Sequence, residues 1–132
     1  MKKSNLVNIL LVGGGLIGIG VGSAQLFVPV AFEASAGIRL EDNISLLSEI
    51  RGTGGTLLVG GILIALGAFN SKMIFTSIVL SCLFYLSYGL SRIFSMVMDG
   101  IPTESLVIVT GLEIAIGLIS LFVLYRFGKQ LS

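Results

Sequence analysis

Histidine is absent from this chain, cysteine occurs once, and charged residues make up only 11% of its 132 positions. Without histidine, the commonest metal ligand and the ordinary neutral-pH proton carrier are both missing. The lone Cys82 excludes a disulfide within the chain and any cysteine-based metal motif, and it reads as core filler. No nucleophile with a paired base is legible, so neither enzymatic activity nor a cofactor or metal is expected. A formal net charge of +1 gives no sign of a nucleic-acid partner.

One stretch argues briefly for something else. Asn8 to Gly18 reads NILLVGGGLIG, an apolar run leading into Gly13, Gly15 and Gly18, with Glu33 downstream, like the opening of a dinucleotide-binding domain. That fingerprint needs a strand, a tight turn and an amphipathic helix inside a soluble parallel sheet. Here the residues after Gly18 offer no polar face, Pro29 falls where a second strand should begin, and no charge occurs between Lys3 and Glu33. The glycines need another explanation.

A mean hydropathy of +1.05 with 55% hydrophobic residues describes a chain whose main solvent is lipid. A hydrocarbon core of about 30 Å takes roughly 20 apolar residues as helix. Charges bound four such spans, at Leu6 to Val28, Ile50 to Phe69, Met73 to Ser95 and Ser105 to Tyr125. Lys2 and Lys3 before an apolar stretch, with Gly22, Ser23 and Ala24 as a small-residue site, also fit a signal peptide. Apolarity continuing through Leu26, Phe27 and Val28 favours a span. The expected fold is all-α: a single integral-membrane four-helix bundle over residues 1–132.

Lys2, Lys3, Lys72, Arg126 and Lys129 flank one set of helix ends with no acid among them, so that side, with both termini, is expected to be cytoplasmic. The other side carries Glu33, Glu41, Asp42, Glu49, Asp99 and Glu104 beside Arg39, Arg51 and Arg92. Asn70 to Lys72 can only close an antiparallel hairpin. The segment from Pro29 to Ser48 is expected to hold a short surface helix, with Asp42 or Asn43 capping the helix that follows. Asp99, Gly100, Ile101 and Pro102 read as a turn.

Gly14, Gly18 and Gly22 recur every four residues on the first span, and Gly52, Thr56 and Gly60, with Gly55 nearby, repeat the device on the second. Small residues at this spacing let helix backbones approach closely in lipid. Polar residues also fall on stripes, which should face the bundle interior. These are Asn8, Gly15, Gly18, Gly22 and Gln25; Glu49, Thr53 and Thr56; Ser77, Ser81, Tyr85, Tyr88, Arg92 and Ser95; and Thr110, Glu113, Gly117 and Ser120. Counting about 1.5 Å per residue, Glu113 and Tyr85 lie at similar depth and Arg92 roughly 10 Å further out, a gap that two long side chains can span. The expected cluster is Glu113, Arg92 and Tyr85 or Tyr88, closed at the outer rim by Glu49 and Arg51.

The run Ser48 to Gly55 (SEIRGTGG), then Arg92, Asp99, Gly100 and Pro102, then Glu113 in the last span, resembles small four-helix bacterial membrane proteins grouped as the domain-of-unknown-function 4345 family. The resemblance covers nearly the whole chain and implies a bacterial inner-membrane protein. It points at Glu49, Arg51, Gly55, Arg92, Asp99, Gly100 and Glu113, and implies no activity. Three roles stay open for the polar cluster: helix registration, a pocket for a small amphiphile or a membrane-protein partner, and proton movement through Glu113 in a transporter or channel. The inner halves of the helices, with Ser77, Thr76 and Ser120 but no acid or base, argue against the last. The bilayer is the one partner every role requires, and a homo-oligomer is compatible with each.

Overall fold

The computed structural model describes residues 5–131; Lys2 and Lys3 lie outside the described residues. It consists of helices α1 (Asn5–Phe27), α2 (Pro29–Ser35), α3 (Ile44–Leu66), α4 (Ile74–Asp99) and α5 (Glu104–Leu131), with a single 3-10 turn at Ser71–Met73. No strand occurs among the described residues. α1, α3, α4 and α5 are each long and apolar enough to cross a membrane. Their outward surfaces carry large apolar side chains, with Ile9 71% and Phe122 55% exposed, as helices solvated by lipid require.

Local chemistry sets the boundaries. Val28 leaves the helical region because it precedes Pro29, and Pro29 then opens α2, where its missing N–H leaves no bond unmade. α3 starts six positions before the expected Ile50, because Asn43 caps it: the Asn43 side-chain oxygen accepts from the Leu46 N–H at 3.0 Å. The charges of Glu49 and Arg51 therefore ride on the first turns of a helix that continues into the apolar run. α4 likewise outlasts Ser95 and stops at Gly100, whose φ of 103° suits glycine. Its N–H donates to the Met96 carbonyl at 3.1 Å. At the opposite end Asn70 accepts from the Lys72 N–H at 3.1 Å and closes the tight turn between α3 and α4.

The bundle is built from two close helix pairs. α1 packs on α3 with backbone against backbone: a Cβ on Gly22 would stand 2.7 Å from the Gly54 carbonyl oxygen, one on Gly15 2.8 Å from that of Gly61, and one on Gly18 3.0 Å from Gly61 Cα. α4 packs on α5 with Gly89 against Ile114 and Gly117 against Leu86.

The packing positions differ from the every-fourth-residue stripe. Gly14 faces Tyr85, Ser81 and Ile116 instead of α3, and Gly60 meets the Phe84 ring. Nothing of the chain lies within 4 Å of where a Cβ on Gly52 or Gly55 would stand, so neither is a packing glycine within this chain. The reason is helical pitch. Steps of four residues drift by roughly 40° each at 100° per residue, so Gly14 and Gly22 diverge by about 80°. Gly15, Gly18 and Gly22 alternate steps of three and four and keep one face, as do Gly54 and Gly61, seven apart.

The pairs close on each other around Val7, Leu10, Leu11, Ile64, Ile74, Ile78, Tyr85 and Val123, a buried cluster mostly toward the end that carries the 3-10 turn. Buried hydroxyls in this half are satisfied: Ser77 donates to the Leu63 carbonyl at 2.7 Å, and Ser81 and Ser120 share a 2.7 Å bond. Toward the other end a cavity lies between the pairs.

The glycine contacts predict a contrast between neighbours. Gly22→Ala should cost about 1 to 3 kcal/mol through backbone overpacking, while Gly20→Ala, with nothing within 4 Å, should leave stability unchanged or slightly raised. Thermal unfolding of both variants in one detergent checks this, and equal midpoints would refute the α1/α3 seam.

Candidate functional site

In the half away from the 3-10 turn the four long helices surround a cavity of about 180 Å³. Its walls are mostly apolar: Ile17 and Val21 from α1, Leu57 from α3, Phe84 from α4, Val109 and Leu112 from α5. Its polar lining is Gln25, Tyr85, Tyr88, Arg92 and Glu113.

Two of these form an ion pair across α4 and α5. Arg92 Nε lies 2.6 Å from Glu113 Oε1, with the two side chains 32% and 12% exposed. The guanidinium carbon also stands 5.9 Å from the centre of the Tyr88 ring, within reach of a cation–π attraction. The pair is held by chain geometry: each residue projects from a helix of the tight α4/α5 pair, whose register is set where Gly89 meets Ile114 and Gly117 meets Leu86. Tyr85, about one turn deeper on α4 than Tyr88 and two turns deeper than Arg92, donates its hydroxyl hydrogen to the Gly14 carbonyl and ties α4 to α1.

Of the six expected cluster members and Asp99, which the family resemblance adds, the cavity brings together Tyr85, Tyr88, Arg92 and Glu113. The other three stand apart. Arg51 is exposed and donates to the carbonyl of Leu26 near the end of α1, where free helical carbonyls attract a cation. Glu49 is exposed in a shallow groove with Ser48, Thr53, Thr56 and Tyr88. Asp99 is exposed at the end of α4. Glu49 and Arg51 ride on the early turns of α3, ahead of its apolar run, at the rim of the bundle.

A second polar pair was not singled out by the chain's pattern. Gln25 Nε2 donates to Glu33 Oε1 at 3.1 Å, and Glu33 is only 5% exposed. The chain bends at Pro29, which lays α2 back against the end of α1 and brings together residues eight positions apart. A donor facing the carboxylate fixes the amide orientation. It leaves Gln25 Oε1 buried with no hydrogen-bond partner among the described residues. Gln25 on the polar stripe of α1 was the available signal; its partner lay beyond the proline, out of helical register.

Chemically, the site combines an apolar body with a polar end holding one cation and one anion in contact. Among the described residues no three of histidine, cysteine, aspartate and glutamate gather as metal ligands. What the arrangement supports directly is non-covalent recognition.

Comparison with known families adds a placement. The family described as Domain of unknown function (DUF4345) matches residues 6–124, and the chain belongs to it. No curated protein and no solved structure matches the chain.

The ion pair predicts non-additive stability. Stranding one member of a buried pair costs about 3 to 5 kcal/mol; Arg92→Leu and Glu113→Leu should each fall at or below the lower bound, because Arg92 is 32% exposed. The double variant should lose less than the sum. Strict additivity in a double-mutant cycle of unfolding would mean that the two do not interact.

Proposed function

We propose that this family member is a multi-pass protein of the bacterial inner membrane that binds a small amphiphile, acting as a binding or accessory protein. The observation that carries the reading is the cavity itself: apolar walls for a chain, and Arg92, Glu113 and Tyr88 at one side for a polar head. Ligand sites characteristically pair such walls with a few convergent polar groups. A charge inside a membrane costs about 2.5 to 3.5 kcal/mol on insertion scales, so intramembrane charges usually serve a function.

Proton movement through Glu113 is the other reading, and packing weighs against it. Between the cavity and the 3-10 turn lie the Tyr85 bond to Gly14, the paired Ser81 and Ser120 hydroxyls and the buried apolar cluster. Among the described residues, the stretch between the cavity and the helix ends carrying Lys72, Arg126 and Lys129 offers buried hydroxyls already committed to partners and no acid or base to pass a proton on.

In the proposed orientation the end carrying Lys72, Arg126 and Lys129 is cytoplasmic and the cavity lies in the outer half, following the excess of lysine and arginine on cytoplasmic loops. The outer connections are tied by Thr103, whose hydroxyl donates to the Ala36 carbonyl at 2.8 Å.

Two experiments test these statements. With Cys82 replaced, a cysteine at position 42 should react with an impermeant reagent on intact cells, and cysteines at positions 2 and 130 should not; the reverse pattern would overturn the orientation. Solvent extracts of the purified protein should contain an amphiphile that is depleted at least several-fold from Val109→Phe, which fills the cavity. Equal extracts from the two folded proteins would overturn the binding reading.

A further inference from the structure

We propose that the cavity selects an uncharged amphiphile whose head both donates and accepts a hydrogen bond, a long-chain alcohol in its simplest form, over anionic or cationic amphiphiles of the same length. This rests on the binding reading above and adds the chemical class of its ligand.

The inference comes from what the ion pair leaves unused. Arg92 spends Nε on Glu113 Oε1, and its two terminal nitrogens take no hydrogen bond among the described residues. Glu113 Oε2 is likewise without a hydrogen bond among the described residues, and it is not fully buried, since Gln25 Oε1 is the one fully buried side-chain atom there that lacks a partner. The pair that lines the cavity thus keeps spare N–H donors beside a spare carboxylate acceptor. A hydroxyl can accept from the first and donate to the second at once. A carboxylate or phosphate only accepts, and it would be pushed against Glu113. An ammonium only donates, and it would be pushed against Arg92.

The surrounding charge agrees. Arg92 and Glu113 cancel at 2.6 Å, so an incoming ion meets no uncompensated opposite charge on the pair. Ile17, Val21, Leu57, Phe84, Val109 and Leu112 supply the apolar path for the chain.

The test titrates decanol, decanoate and decylamine against the purified full chain in a neutral maltoside detergent and takes apparent affinities from the rise in unfolding midpoint. Decanol should bind wild type about tenfold or more tightly than either ion, the worth of one well-made charge-assisted hydrogen bond. Glu113→Gln leaves Arg92 unopposed and should move the preference to decanoate by a similar factor. Arg92→Gln leaves Glu113 unopposed and should move it to decylamine, so one folded variant of the two suffices. Tightest binding of decanoate or decylamine to wild type, or an order that neither variant changes, would overturn the assignment of the head while leaving the cavity as a binding site. Responses of Val109→Phe equal to those of wild type for all three probes would overturn the binding reading itself.

Discussion

The contact on which the rest of the bundle depends is the backbone approach of α1 to α3. Gly15, Gly18 and Gly22 on one helix meet Gly54 and Gly61 on the other so closely that a single Cβ would enter the partner's main chain. In lipid there is little hydrophobic gain from bringing two apolar helices together, so association depends on many close dispersion contacts. Glycine supplies them by removing the side chain that would hold the axes apart. With α1 and α3 locked, and α4 and α5 locked through Gly89 and Gly117, the remaining freedom is how two stiff pairs sit against one another. The large apolar cluster from Val7 to Val123 joins them at one end. At the other end bulky residues face a gap that none of them fills, and the cavity is the result.

Polar groups follow the same division. In the closed half, each buried hydroxyl is returned to a carbonyl or to another hydroxyl, as Ser77, Ser81 and Ser120 are, so these groups cost little and offer nothing. In the open half, Arg92 and Glu113 neutralise each other and still keep unused donors and acceptors. A partly buried ion pair is weak support for stability, because desolvation of the charges offsets much of their attraction. The proposed binding reading uses what the pair leaves free beside the cavity, not its contribution to stability. The connections at the cavity end hold the rim in place: Pro29 turns α2 back to bury Glu33, and Thr103 joins the α4/α5 connection to the end of α2.

Much of this was legible in the residues alone. The number of long helices follows from hydropathy, since a backbone in lipid must satisfy its hydrogen bonds internally and a helix of about 20 residues does so. The short α2, the Asn43 cap and the breaks at Pro29 and Gly100 follow from local chemistry that acts within a few residues. Steps of three and four along α4 and α5 place Tyr85, Tyr88, Arg92 and Glu113 on facing stripes, within reach of one another.

Only the tertiary structure decided what depends on rotation of one helix against another. Periodicity defines a face but not its partner, so Gly14 was grouped with Gly18 and Gly22 although it looks toward Tyr85, and Gly52 and Gly55 stood in for Gly54. A shift of one or two residues on a helix swings a side chain by roughly 100° to 200°, enough to exchange a packing contact for a lipid-facing one. Glu49, Arg51 and Asp99 left the cluster for that reason and because their helices ran beyond the apolar limits. The Gln25–Glu33 pair crosses a proline break that interrupts helical register. The cavity is a property of how four surfaces fail to meet, and no single stretch of the chain encodes it.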